Sequence, residues 1–360
     1  MWPDRRILDL FALDLPILQA PMAGSSGSAL AIAVAEAGGL GSLPCAMLTP
    51  ETARAEIGIF RQRVSKPLNV NFFCHVQPEP DAERDRAWRG RLAAYYREHG
   101  LDPDASSGGA VRLPFGEAMC ELMEETRPEV VSFHFGLPEP RLVERVRATG
   151  AKIVSSATTA AEARWLAERG CDAIIAQGAE AGGHRGIFLD SDLSSQPGTF
   201  ALVPQVVDAV SVPVIAAGGI ADSRGIVAAV ALGASAVQIG TAYLRSPESL
   251  AGPLHRQALA LGRDDGTALT NLFTGRPARG LLNRFMREMG PIHPDAPAFP
   301  LAAGAITPIR AAAEKSGSSD FSPLWAGQSV ALAPELPAAE LTRRLASEAL
   351  DLLSNGLRRA

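Results

Sequence analysis

Short apolar runs alternate with amphipathic stretches along most of this chain. The apolar runs predict eight strands, at 16–20, 39–43, 68–73, 130–135, 152–156, 173–177, 212–217 and 236–240. Between them, apolar residues with a helical period predict helices at 30–37, 50–64, 139–148, 160–169, 202–210, 224–232 and 247–261. This alternation is typical of parallel β/α units, and about eight of them favour a (β/α)₈ barrel of the TIM class.

A doubly wound parallel sheet is the alternative fold. Its ligand-binding loops gather at one switch point in the strand order, whereas glycine and polar signals here follow almost every predicted strand. The barrel is therefore favoured, and its active site should lie at the carboxyl ends of the strands.

Two segments interrupt the alternation. Residues 76–127 are charged and helix-prone, with a predicted loop at 106–109, and indicate an insertion after the third strand. From 264 to 335 proline and glycine are frequent, which predicts a small helical substrate lid over the barrel mouth. Residues 336–360 regain a 3.6-residue period and predict a helix that packs on the barrel. The predicted organisation is a barrel over 1–263, followed by the lid and this closing helix.

Composition and charge narrow the function classes. The 360 residues have a net charge of −5 with no long basic block, so nucleic acid is not an expected partner. No apolar stretch is long enough for a membrane span and no signal-peptide pattern begins the chain, so we expect a cytoplasmic protein. The four cysteines and the histidines lack metal-ligand spacing, and we expect neither a disulfide framework nor a metal.

Glycine pairs follow the last two predicted strands. Gly218 and Gly219 precede a helix, and Gly240 is followed by Thr241. Backbone N–H groups at such positions can bind a phosphate dianion at the rim of a barrel. A lone glycine pair is more often only a tight turn, but two on adjacent strands favour a phosphate-bearing cofactor. A dinucleotide site is not supported, because no G-x-G-x-x-G motif is present.

Four polar side chains lie at predicted strand ends or in the loops that follow. The amides are Asn71 and Gln177, and the imidazoles are His134 and His184. Each amide either meets the pyrimidine edge of a flavin or only ties down a neighbouring loop. Each histidine either exchanges a proton and holds an anion or is a satisfied structural group. Two histidines beside a predicted phosphate site favour function.

These motifs together resemble the nitronate monooxygenases, formerly 2-nitropropane dioxygenases, and specifically their bacterial class I branch. The most specific strings are N-V-N-F-F-C-H at 69–75 and S-F-H-F-G at 132–136. More general strings are Q-A-P-M-A at 19–23, A-G-G-L-G-S at 37–42, Q-G-A-E-A-G-G-H-R-G at 177–186, A-A-G-G-I at 216–220, Q-I-G-T at 238–241, G-R-P-A-R at 275–279 and W-A-G-Q at 325–328.

The resemblance implies a barrel that binds FMN non-covalently beneath a helical extension, with His134 and His184 as catalytic residues. It implies that the cofactor-binding residues are Ala20, Pro21, Met22, Asn71, Gln177, Gly182, Gly183, Gly218, Gly219, Gln238, Gly240 and Thr241. The implied reaction oxidises an alkyl or propionate 3-nitronate with O₂ through a flavin semiquinone, giving a carbonyl compound and nitrite. A protonated histidine is expected to hold the anionic nitronate.

One segment departs from the family pattern. Relatives carry a tyrosine-rich stretch that ends in a lysine, whereas residues 299–307 here read F-P-L-A-A-G-A-I-T. We therefore expect a more apolar pocket and an altered substrate, such as a larger or neutral nitro compound.

Two other functions remain open. One is an FMN-dependent, NAD(P)H-linked enoyl-acyl-carrier-protein reductase, and the other is an FMN-binding protein without turnover. The oligomeric state stays open as well.

Overall fold

The strands in the computed structural model form a barrel and a small sheet. The structure describes residues 1–102 and 112–356, so the loop predicted at 106–109 lies outside the described residues. In chain order the strands are β1 (Ile17–Gln19), β2 (Gly41–Pro44), β3 (Leu68–Phe73), β4 (Val130–His134), β5 (Lys152–Ala157), β6 (Ala173–Gln177), β7 (Gly183–His184), β8 (Val214–Ala217), β9 (Ala236–Ile239), β10 (Thr267–Thr270) and β11 (Ala278–Leu281).

Helices follow most of the barrel strands. In chain order they are α1 (Arg6–Phe11), α2 (Ser28–Glu36), α3 (Pro50–Arg63), α4 (Ala82–Glu98), α5 (Glu117–Thr126), α6 (Pro140–Ala148), α7 (Ala160–Glu168), α8 (Thr199–Ala209), α9 (Ser223–Ala231), α10 (Thr241–Leu244), α11 (Pro253–Ala260), α12 (Arg284–Met289), α13 (Ala303–Lys315) and α14 (Ala338–Asn355).

Eight parallel strands form the barrel, in the ring order β1-β9-β8-β6-β5-β4-β3-β2. The ring closes between β1 and β2, where Leu40 N donates to Ile17 O and Gln19 N to Leu40 O, both at 2.9 Å. Every residue of β3 and β6 is buried, which explains why apolar residues occupy both faces of these strands, with Asn69, Asn71 and Gln177 as the polar exceptions. The predicted barrel fold and all eight of its strands are confirmed.

One predicted helix begins later than its pattern suggested. The apolar period indicates a helix from 247, but α11 begins at Pro253. The guanidinium of Arg256 donates to the backbone carbonyl oxygens of Ser246, Ser249 and Ala251, at 3.0, 2.6 and 3.0 Å. These bonds hold the preceding residues in turns, and the hydrophobic periodicity of the sequence does not reveal such bonds.

The predicted insertion and the extension share an apolar core that is separate from the barrel. Helix α4 packs against α13, and Tyr96 Oη donates to Ala305 O at 2.7 Å. We call this cluster the cap core; its buried members are Trp88, Leu92, Tyr95, Tyr96, Leu272, Phe273, Phe285, Met286, Ala296, Ala305, Ile306, Ile309, Ala313 and Phe321. Helix α5, at the end of the predicted insertion, instead packs against α3 and α6.

The extension also contains strands that the sequence pattern did not predict. Strand β11 pairs antiparallel with β10 and with β7, so a three-stranded sheet joins the extension to the loop after β6. The last helix, α14, packs against α2 and α9, and its Thr342 hydroxyl is 2.7 Å from Tyr243 Oη. The domain boundaries at 263 and 335 stay predictions.

No helix within 1–102 and 112–356 has the length and apolar character that a bilayer crossing requires. The cytoplasmic location stays a prediction.

Candidate active site

A cleft lies at the carboxyl ends of the barrel strands. All fourteen residues singled out from the sequence line it, and their individual roles stay predictions. They are Ala20, Pro21, Met22, Asn71, His134, Gln177, Gly182, Gly183, His184, Gly218, Gly219, Gln238, Gly240 and Thr241. The cleft therefore gathers residues from most strands of the ring at one place.

One end of the cleft is formed by backbone after β8 and β9, and we call Gly218, Gly219, Gly240 and Thr241 the glycine cradle. Gly218 and Gly219 have φ angles of +110° and +71°, which other residues rarely adopt. The backbone N–H groups of Gly219 and Gly240 donate no hydrogen bond to any described residue. The cradle can thus offer donors to an anion.

The helix that follows Gly219 does not add to these donors. The side chain of Asp222 caps α9 by accepting hydrogen bonds from Arg224 N and Gly225 N, at 3.0 and 3.2 Å. Helix α10, which begins at Thr241, has no side-chain cap. Of these two helices, α10 is therefore the one whose first N–H groups have no side-chain acceptor.

The extension closes over the glycine cradle. Gly327 N donates to Thr241 Oγ1 at 2.9 Å, and Ser329 Oγ donates to Gly219 O at 2.7 Å. A Cβ on Gly182 would lie 2.6 Å from Gly327 N, so only glycine fits where the two segments meet. Sequence reasoning did not single out Gly327 or Ser329, although the W-A-G-Q string indicated their neighbourhood.

Some amide groups in the cleft have hydrogen-bond partners within the protein, and one amide oxygen does not. Gln177 Nε2 donates to His184 O at 3.0 Å and its Oε1 accepts from Gly186 N at 2.7 Å, so this amide ties down the loop. Asn71 Nδ2 donates to Ser132 Oγ at 3.0 Å. Gln238 Oε1 is buried with no hydrogen-bond donor among the described residues. Such an acceptor is costly to bury unless a ligand supplies a donor.

His134 is held at both ring nitrogens. Nε2 lies 3.1 Å from His184 O, which can only accept, so Nε2 carries the proton. Nδ1 lies 2.5 Å from Ser156 Oγ and accepts from that hydroxyl. Neither nitrogen of this ring is left with a lone pair for a substrate proton.

His184 has one ring nitrogen facing the cleft. Its Nε2 lies 2.9 Å from Thr274 Oγ1, and that hydroxyl donates to Arg276 O at 3.3 Å, so Nε2 is the protonated nitrogen. No hydrogen bond joins Nδ1 to a described residue. The rings of four aromatic residues surround His184 with centroids 5.3 to 6.1 Å away, namely Phe73, Phe135, Phe299 and Trp325.

Both histidines are neutral in this environment. Burial lowers the pKa of His134 to about 3. Burial also lowers the pKa of His184 well below 6.5, and the positive charge of Arg112 lowers it further. Apolar rings and nearby arginines therefore disfavour a protonated histidine in the ligand-free cleft, and the protonated histidine expected beside a bound nitronate stays a prediction.

The pKa of His134 predicts how stability depends on pH. The unfolded histidine has a pKa near 6.5, so between about 3 and 6.5 the unfolded chain binds one more proton than the folded chain. We expect His134 to lower the free energy of unfolding by about 1.4 kcal/mol for each pH unit below 6.5. Urea denaturation from about pH 7.5 to 5 should show a shallower acid decline for His134→Gln than for the wild type. Equal declines in the free energy of unfolding for the two proteins would contradict the lowered pKa of His134.

Three arginines near the cleft were not singled out by sequence reasoning. Arg185 is fully buried and donates to Gln177 O and Gly178 O at 2.7 and 2.6 Å, so it fixes the loop after β6. Arg276 lies 3.9 Å from the centroid of the Phe135 ring. Arg112 lines the cleft itself. Arg112 therefore places a cation at the wall of the cleft, while the more apolar pocket and altered substrate expected from residues 299–307 stay predictions.

The described residues hold no group of three or more His, Cys, Asp or Glu side chains that could bind a metal.

Comparison with known proteins gives consistent matches. The family model described as "Nitronate monooxygenase" matches residues 4–348. A relative named nitronate monooxygenase from Pseudomonas aeruginosa is 45% identical over 346 residues, covering 95% of this chain and 98% of that protein.

Two solved structures are similar along their whole length. A nitroalkane oxidase from Streptomyces ansochromogenes is 40% identical with a TM-score of 0.88, covering 97% of this chain and 99% of that one. FabK from Thermotoga maritima is 28% identical with a TM-score of 0.75, covering 99% and 98%.

Proposed function

Because this chain belongs to the nitronate monooxygenase family, we propose that it binds FMN and oxidises nitronates with O₂ to a carbonyl compound and nitrite. The observation that carries the proposal is the cleft, where a glycine cradle, an unsatisfied buried acceptor and an enclosed histidine lie together. The cleft suits a phosphate-bearing ring cofactor with a small anion beside it.

The residues present fit FMN. The glycine cradle would hold the phosphate through its backbone N–H groups, while Gly182 and Gly183 would line the ribityl chain. Gln238 Oε1 would receive the donor that it lacks from the ring system. The isoalloxazine would also contact the residues Ala20, Pro21, Met22, Asn71 and Gln177. When bound, FMN supplies the redox chemistry by taking electrons from the nitronate and passing them to O₂.

His184 is the residue proposed to accept a proton from the substrate. Its Nδ1 faces the cleft, whereas its Nε2 is held by Thr274. When a neutral nitroalkane enters, Nδ1 can take the proton next to the nitro group, because the nitronate formed beside it stabilises the imidazolium. When a preformed nitronate enters, no proton needs to move, and the ring only helps to orient the anion.

His134 is proposed to position His184 rather than to act as a base. Both of its nitrogens are engaged, and its Nε2–H together with the Gln177 amide donates to the carbonyl oxygen of His184. Loss of either donor would free the loop that carries His184. The aromatic rings around the cleft keep water away from the reacting atoms.

The proposed function is tested by mixing the purified protein anaerobically with propionate 3-nitronate and, separately, with NADH. Flavin absorbance that bleaches on nitronate and not on NADH is the expected result. Bleaching by NADH alone would favour the enoyl-acyl-carrier-protein reductase. A flavin spectrum that responds to neither compound would indicate a binding protein without turnover, and a spectrum without flavin would contradict the cofactor.

A further inference from the structure

Arg112 places an unpaired positive charge in the wall of the cleft. Of the described residues that line the cleft, it is the one with a permanent positive charge. Its Nε is buried without a hydrogen-bond partner among the described residues, and none of their carboxylates pairs with it. Burial lowers the pKa of Arg112, as does the nearby cation Arg310. An uncompensated guanidinium is costly in such a place unless an anion joins it.

The backbone at Arg112 is firmly held. His75 Nε2 and Gln77 Nε2 both donate to Arg112 O, at 3.1 and 2.9 Å. The neighbouring Phe115 N donates to Phe73 O at the end of β3, at 2.7 Å. These bonds attach Arg112 to the carboxyl end of β3. They also give His75, the last residue of the N-V-N-F-F-C-H string, a definite structural role.

Arg112 lies across the barrel from the glycine cradle. Strand β3 stands four places from β8 in the ring of eight, and β4 stands four places from β9. The cradle follows β8 and β9, whereas Arg112 is fastened to the end of β3. A phosphate in the cradle is therefore too far across the barrel mouth to be the partner of Arg112. Its charge is left for the second ligand, which is the substrate.

Phe299 separates Arg112 from the proposed proton acceptor. The ring of Phe299 lies 5.3 Å from that of His184, and the Arg112 guanidinium carbon lies 5.7 Å from the Phe299 centroid. Because Arg112 and His184 both line the cleft, a short substrate with its nitronate at His184 can extend toward Arg112. The group that it presents there has to accept hydrogen bonds, because the guanidinium has only donors, and an anionic acceptor also offsets the unpaired charge of Arg112.

We propose that Arg112 binds a carboxylate at the end of the substrate remote from the nitronate, and so selects dianionic nitronates over those with an uncharged tail. This assignment rests on the proposed function for the identity of the reacting group. Arg112 is a specificity-determining residue in this account, and His75 is a positioning residue that acts through it.

The test uses two unreactive carboxylates, because a carboxylate has the planar two-oxygen shape of a nitronate. Succinate is the counterpart of propionate 3-nitronate, and butyrate is the counterpart of propyl 1-nitronate, which lacks the second charge. Calorimetric titration of the flavin-loaded protein should show succinate binding that weakens about 10- to 100-fold in Arg112→Gln. Butyrate binding should not change, and Arg112→Lys should recover part of the succinate affinity.

Arg310→Gln is the matched control, since it removes a nearby exposed cation that does not line the cleft. It should leave both affinities unchanged, and circular dichroism verifies that each variant folds. Unchanged succinate affinity in a folded Arg112→Gln, or equal losses for succinate and butyrate, would overturn the proposal. Arg112-dependent succinate binding without any nitronate oxidation would instead defeat the proposed function alone.

Discussion

Replacing His184 with asparagine is expected to lower kcat/KM for a neutral nitroalkane by about 10²–10⁴-fold. The same change should cost far less with the preformed nitronate of that compound. The reason is that Nδ1 is the ring nitrogen left open toward the cleft, and a nitroalkane needs a proton acceptor that a nitronate does not. Steady-state oxygen consumption with each substrate form measures the two losses.

His134→Asn provides the comparison for this prediction. Since both nitrogens of His134 are engaged by Ser156 and by the His184 carbonyl, its loss should reduce turnover of both substrate forms equally. A selective loss on the nitroalkane in His134→Asn would make His134 the base instead. Wild-type protein that turns over only preformed nitronate would exclude the proton role altogether.

Gly218→Ala is expected to raise the dissociation constant of FMN by about two to three orders of magnitude. Gly218 has a φ of +110°, and an added Cβ would lie 3.0 Å from Ala181 N and from Thr199 Oγ1. The left-handed strain costs about 1–3 kcal/mol, and the overpacking costs about 1–3 kcal/mol more. The glycine cradle relieves the strain and the overpacking by shifting from its native conformation. FMN binding then has to restore that conformation. Fluorescence titration of the apoprotein with FMN measures the change.

Gly150→Ala is the matched control. Gly150 has a φ of +93°, but no atom lies within 4 Å of the added Cβ, and the residue stands in the turn between α6 and β5. It should lower the melting temperature through backbone strain alone and leave FMN affinity unchanged. If Gly218→Ala bound FMN as tightly as Gly150→Ala does, the cradle could not be the phosphate site.

The barrel could be predicted from the sequence because its strands are short, mostly buried and followed by glycine or polar loops. β3 and β6, for example, are buried along their whole length and carry apolar residues on both faces. The sheet of β7, β10 and β11 could not be predicted, because strands of two to four residues carry too few positions to establish a period.

Part of the candidate site could be predicted from the sequence for the same reason. Gly218 directly follows a predicted strand and Gln177 ends one, which is where a barrel gathers its chemistry. Arg112 has no such marker, because it lies in a charged insertion among many other arginines. Which nitrogen of His184 faces the cleft depends on Thr274, ninety residues away. Contacts of that range leave no local pattern, so the roles of the two histidines could not be separated beforehand.

The cap core has a consequence for how this family can diversify. Its buried side chains come from α4 and from the extension, and they pack on one another rather than on the barrel. Arg112 and Phe299 lie where this unit meets the strand ends. Substitutions in this unit can therefore change the surface that meets the substrate while the residues of the glycine cradle stay the same. We therefore expect substitutions over residues 299–307 to alter substrate preference without altering FMN affinity.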